Sequence, residues 1–92
     1  MSLSDDAVVL LAWITLSRVA EGTVAKQGES YLDGGAPLPP YLVVSVSTLL
    51  TEGLLAVADA DPAGWCPVIL TESGRTRREQ LRRRGAGGVD IP

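Results

Sequence analysis

The sequence predicts an α+β domain, and three features predict it. An apolar stretch of helical periodicity opens the chain, two short apolar runs flank a turn-rich segment in its second half, and a charged stretch with helical capping follows them. The 92 residues fit one domain, and 46% apolar with 21% charged residues is the balance of a folded chain rather than a disordered one. Aromatics make up only 4%, with no Phe, so the core is expected to be aliphatic, built from Leu, Val, Ile and Ala with help from Trp13, Tyr31, Tyr41 and Trp65.

Ser4-Asp5-Asp6 reads as a helix start, a capping hydroxyl followed by two acids that suit the positive end of the helix dipole. Val9, Trp13, Leu16 and Ala20 then recur at helical spacing, giving a helix over residues 4–20 that ends near Gly22. Val8, Leu11, Ala12 and Ile14 fill its other side, and two apolar faces suit a central helix or a dimer contact. Thr23 opens a short second helix expected to run to Leu32, with Gly28 as a cost in its middle. Asp33-Gly34-Gly35-Ala36-Pro37-Leu38-Pro39-Pro40 is expected to be a loop, and the mobile internal segment of the chain.

Pro40 stands at a first helical position, and Leu42, Val46, Leu49 and Leu50 share one face of a helix that Gly53 stops. A strand is the competing reading, because Val43, Val44, Val46 and Thr48 are β-branched; length and capping favour the helix. Leu54 to Ala58 and Trp65 to Leu70 read as a hairpin around the turn chemistry of Asp59-Ala60-Asp61-Pro62-Ala63-Gly64. Thr71 caps a last helix through Arg84, and residues 85–92 are expected to be a disordered tail. The domain thus spans 4–84.

Within this order, Leu49-Leu50-Thr51-Glu52-Gly53-Leu54-Leu55 and Leu70-Thr71-Glu72-Ser73-Gly74-Arg75 resemble the bacterial MarR-type and PadR-type winged helix-turn-helix transcriptional regulators. The resemblance covers about residues 5–84. It implies a three-helix core, a two-stranded wing and a C-terminal helix, with double-stranded DNA as partner, a homodimeric assembly and a role in transcription. It also implies a recognition helix whose exposed face, Tyr41, Val43, Val44, Ser47 and Thr48 here, reads the major groove. The expected DNA contacts are Tyr41, Val44, Ser47 and Thr48 together with Arg75, Arg77, Arg78 and Arg82.

Charge qualifies that expectation. Through Glu72 there are two bases against nine acids, net −7; from Ser73 onward six arginines face two acids, net +4. The expected reading face carries no base for a bidentate contact, and the wing tip holds Asp59 and Asp61 where the family carries Arg or Lys. Only the C-terminal arginines can neutralise phosphates, and they also suit a solvated helix end. A module that binds protein or dimerises without touching DNA is therefore the alternative.

Catalysis is not expected. The chain has no His, no phosphate-binding glycine loop and no metal-ligand cluster, so no cofactor or metal is expected, and Asp59 and Asp61 read as turn formers rather than a catalytic pair. The lone Cys66 reads as structural. The longest apolar run, Ala7 to Ile14, falls far short of the roughly 20 residues that cross a bilayer, and no basic segment precedes it, so the expected location is the cytoplasm.

Overall fold

The computed structural model describes residues 5–83. It is a mixed α+β fold of three helices and a five-stranded antiparallel sheet, in the order α1 (Asp5–Ala20), β1 (Val24–Gln27), β2 (Ser30–Asp33), β3 (Ala36–Pro37), α2 (Pro40–Thr51), β4 (Leu55–Val57), β5 (Cys66–Leu70) and α3 (Glu72–Arg83). The expected cap at Ser4, Arg84 and the expected tail 85–92 lie outside the described residues.

The chain departs from expectation between Thr23 and Pro37. Where a second helix was expected, β1 and β2 form a hairpin with Gln27 opposite Ser30. The two-residue connection Gly28-Glu29 has Gly28 at φ 62° and no positive φ at Glu29, the pattern of a type II′ turn, whose twist matches that of paired strands. Gly28 is therefore the turn residue and not a helix defect. The loop expected over 33–40 is also largely regular: Gly34-Gly35 links β2 to β3, Asp33 pairs with Ala36, and Leu38 is buried. No helix precedes α2 within residues 21–39, so the expected three-helix core holds two helices before the second hairpin, α1 and α2.

The sheet runs β3-β2-β1-β5-β4. The expected wing, β4 and β5, is thus extended by the first hairpin through Ala25 opposite Pro67 and Lys26 opposite Cys66. Along β5 the buried Val68 alternates with the exposed Ile69, so this strand turns one face to the core. In the turn before it, the Asp61 carboxylate accepts from the Ala63 and Trp65 N–H groups at 2.9 Å each, the turn-forming role expected of it.

α1 contacts α2, α3 and β5 and so occupies the centre of the fold. Its buried residues are Thr15, Leu16 and Val19, with Ala20 exposed instead of joining the expected stripe. The core around it is aliphatic: Leu42, Val46 and Leu49 of α2, Leu54, Leu55, Val68 and Leu81. Trp13 and Tyr31 pack at its edge, whereas Tyr41 is exposed and contributes nothing to it. One polar contact crosses the α1–α2 interface. The Thr15 hydroxyl donates to the Leu11 carbonyl at 2.8 Å, which leaves Ser45 Oγ to donate to Thr15 Oγ1 at 2.7 Å, so neither buried hydroxyl is orphaned.

α2 ends in a Schellman arrangement: Leu54 N–H donates to Leu49 O, Gly53 N–H to Leu50 O, and Gly53 takes φ 79°. Thr71 caps α3 through its Oγ1, which accepts from Gly74 N–H at 3.0 Å, while the same hydroxyl donates to Gly53 O at 2.7 Å. One threonine thus ties the end of α2 to the start of α3.

The first hairpin is tied to α1 by Asp33. Its Oδ1 accepts from Thr23 Oγ1 at 2.6 Å and its Oδ2 from Arg18 Nη1 at 2.8 Å. The Thr23 hydrogen bond first, and the Arg18 guanidinium second, hold its carboxyl below the usual range. A carboxyl with a lowered folded-state pKa stabilises the fold above its unfolded pKa of about 3.9 and loses that contribution as pH falls through the folded value. Melting temperature measured from pH 6 down to pH 2 should therefore fall less steeply below about pH 4 in Asp33→Asn than in the parent chain. Equal slopes would remove this role.

Candidate docking groove

The residues expected to read DNA divide between two places. On α2, Tyr41 and Val44 are 58% and 64% exposed, and Ser47 and Thr48 are also exposed. Tyr41, Val44 and Thr48 follow one another at helical spacing and share a face. Val43 leaves that set, because it packs against the core. The exposed face is uncharged, and the hairpin tip carries the exposed acids Asp59 and Asp61.

The arginines do not gather on that face. Arg78 lies 5.0 Å over the Trp13 ring and donates to Ser17 Oγ at 3.4 Å, on the far side of α1, while Arg75 donates to the Leu70 carbonyl at 3.4 Å. Both border a separate shallow cleft beside β5 and the end of α1. Arg82 pairs with Glu79 through two hydrogen bonds of 2.6 and 3.2 Å, and Arg83 lies 3.4 Å from the same carboxylate. The Arg82 hydrogen bond is the main reason the Glu79 carboxyl sits below its usual range. Of the two pairs that i, i+4 spacing offers Glu79, that with Arg83 forms and that with Arg75 does not. Arg77 is different: it has no ion pair, hydrogen bond or ring contact among the described residues, and it points along the side of α3 that faces α2.

There it borders a groove of about 340 Å³ between the three helices. Leu11 and Ala12 of α1, Leu49 of α2, Leu54 and Leu81 form its apolar lining. Val8, 50% exposed on α1, and Val44 stand on its flanks. The volume is at the lower end of the roughly 300–1,000 Å³ of small-molecule pockets, and the groove is open. Its polar groups are Ser45, already satisfied by Thr15, then Thr48, and at one end the charges of Glu52 and Arg77, which form no ion pair among the described residues.

The structure therefore joins Val44, Thr48 and Arg77 in one surface and leaves Arg75, Arg78 and Arg82 outside it. Val8, Leu11 and Ala12 carried a signal in the sequence, the second apolar face of the first helix. Glu52, Leu54 and Leu81 carried none, since their place in the groove depends on how α2 and α3 dock. Among the described residues no group of His, Cys, Asp or Glu could hold a metal ion, and no helix is long and apolar enough to cross a membrane. No family model, no curated protein and no solved structure matches the chain.

Proposed function

We propose that this chain is a non-catalytic protein-docking domain, a variant of the winged-helix design that works through the groove between α1, α2 and α3. The order α2, β4–β5 hairpin, α3 supports the winged-helix part of this reading. The observation that carries the docking part is the pairing of Val44 at 64% and Val8 at 50% exposure on the flanks of an apolar groove. Large aliphatic side chains held out in water beside a lined depression mark a surface that another protein covers.

A photo-crosslinking amino acid in place of Val44, compared with one in place of the exposed Gln27 at the tip of the first hairpin, tests the reading in cells. Protein adducts are expected from position 44 and not from position 27. Equal labelling from both, or adducts with nucleic acid alone, would refute it.

DNA binding is the second reading, favoured by the five arginines that α3 carries between residues 75 and 83. It predicts that anisotropy of a mixed-sequence duplex rises with added protein at low salt and that affinity falls with salt at a slope of about −0.9 per neutralised phosphate. Glu52 beside the groove and the two acids at the hairpin tip oppose it.

A further inference from the structure

The groove that serves as the docking site in the reading above has a charge pattern that selects its occupant, and we infer that the occupant is a second copy of this chain, bound about a two-fold axis that runs along the groove. Glu52 and Arg77 both border one end of the groove, from the C-cap of α2 and from α3 respectively, and among the described residues neither has an ion-pair partner, including the other. An acidic peptide laid across that end meets Glu52, and a basic one meets Arg77. Its best complement offers an acid against Arg77 and a base against Glu52, in the mirrored order.

A second copy supplies that order. In an isologous contact, residue i of one subunit meets residue j of the other, and j meets i. With the axis along the groove, the α2 wall of one chain lies on the α1 and α3 walls of the other. Glu52 then meets Arg77 twice, once on each side of the axis. The exposed apolar groups on the flanks fill the partner's groove. A standard interface of about 800 Å² per subunit would cover about a seventh of the 5840 Å² surface. Such a dimer covers the face that the family resemblance assigns to DNA, so self-association and DNA reading through α2 exclude each other.

Sedimentation velocity over a micromolar-to-millimolar series, with the intact chain and with Glu52→Arg, Arg77→Glu and the double variant, tests the inference. Both side chains are exposed and make no ion pair among the described residues, and thermal unfolding checks that each variant folds. The intact chain is expected to dimerise, each single reversal to weaken the dimer about tenfold or more, and the double exchange to restore it to within about threefold. A chain that stays monomeric at every concentration, or a dimer indifferent to both single reversals, would overturn the inference. Monomers that still give protein adducts from position 44 overturn the second copy alone and leave the docking reading standing; monomers with no such adducts overturn both.

Discussion

Alanine at position 74 should destabilise the domain by about 3 kcal/mol or more, lowering the melting temperature by upwards of about 12 °C. Helix propensity alone predicts the opposite, a gain of about 1 kcal/mol on replacing a helical glycine. Packing decides the sign. Gly74 is buried in the first turn of α3, and a β-carbon there would run into the Leu54 carbonyl oxygen and lie 3.0 Å from its carbonyl carbon. The obstacle is backbone, so no side chain can swing aside. That oxygen also accepts the Thr71 N–H, and Thr71 in turn caps α3 and holds Gly53, so a displaced α3 loses the junction as well as the contact. Thr76→Ala, exposed on the same helix, should change stability by no more than about 0.5 kcal/mol. Chemical denaturation of both variants checks this, and a Gly74→Ala domain as stable as the parent would mean that α3 does not sit on Leu54 in this way.

Leu16→Ala should cost about 3–4 kcal/mol, a large share of the 5–15 kcal/mol that holds a domain of ordinary stability. Leu16 has no exposed surface and lies in the aliphatic cluster at the centre of the fold, so its removal leaves a cavity walled by elements that cannot all close in. Leu10→Ala on the same helix removes a side chain that is already 48% exposed and should cost less than about 1 kcal/mol. The difference between the two measures how α1 is rotated in the fold. Equal costs would mean that Leu10 is buried as Leu16 is and that α1 is not rotated in this way.

The elements that were legible are those whose stabilising contacts are local. α2 could be located because Pro40 begins it and Gly53 ends it within twelve residues, α3 because Thr71 caps it three residues before Gly74, and the β4–β5 turn because the Asp61 carboxylate binds backbone two and four residues on. The candidate site was legible in part for the same reason. The spacing of Tyr41, Val44 and Thr48 is a property of one helix, and so is the second apolar face of α1.

The first hairpin shows where that legibility stops. Thr23 to Leu32 contains a hydroxyl cap and residues acceptable in a helix, and Gly28 reads equally as a helix defect or as a type II′ turn until a partner strand is known. The partner is Cys66-Pro67 of β5, some forty residues later, and no local pattern announces it. Arg77 shows the same limit in the site. Six arginines in one charged segment look alike in sequence, and only the docking of α3 against α1 and β5 gives Trp13 to Arg78 and the Leu70 carbonyl to Arg75, and leaves Arg77 without a partner among the described residues, on the groove that Glu52 also borders.

By itself, then, the sequence determined an α+β chain with an aliphatic core, its three helices to within a residue or two, its second hairpin, and an α2 face without charge, because helices and tight turns satisfy their backbone groups among near neighbours. Tertiary structure alone decided that the sheet has five strands, that α1 keeps Val8 and Leu10 in water, and that a groove with two unpaired charges opens between three helices. Strand pairing and helix docking draw on residues far apart in the chain, and their outcome is set by which surfaces fit, not by any residue's neighbours in sequence.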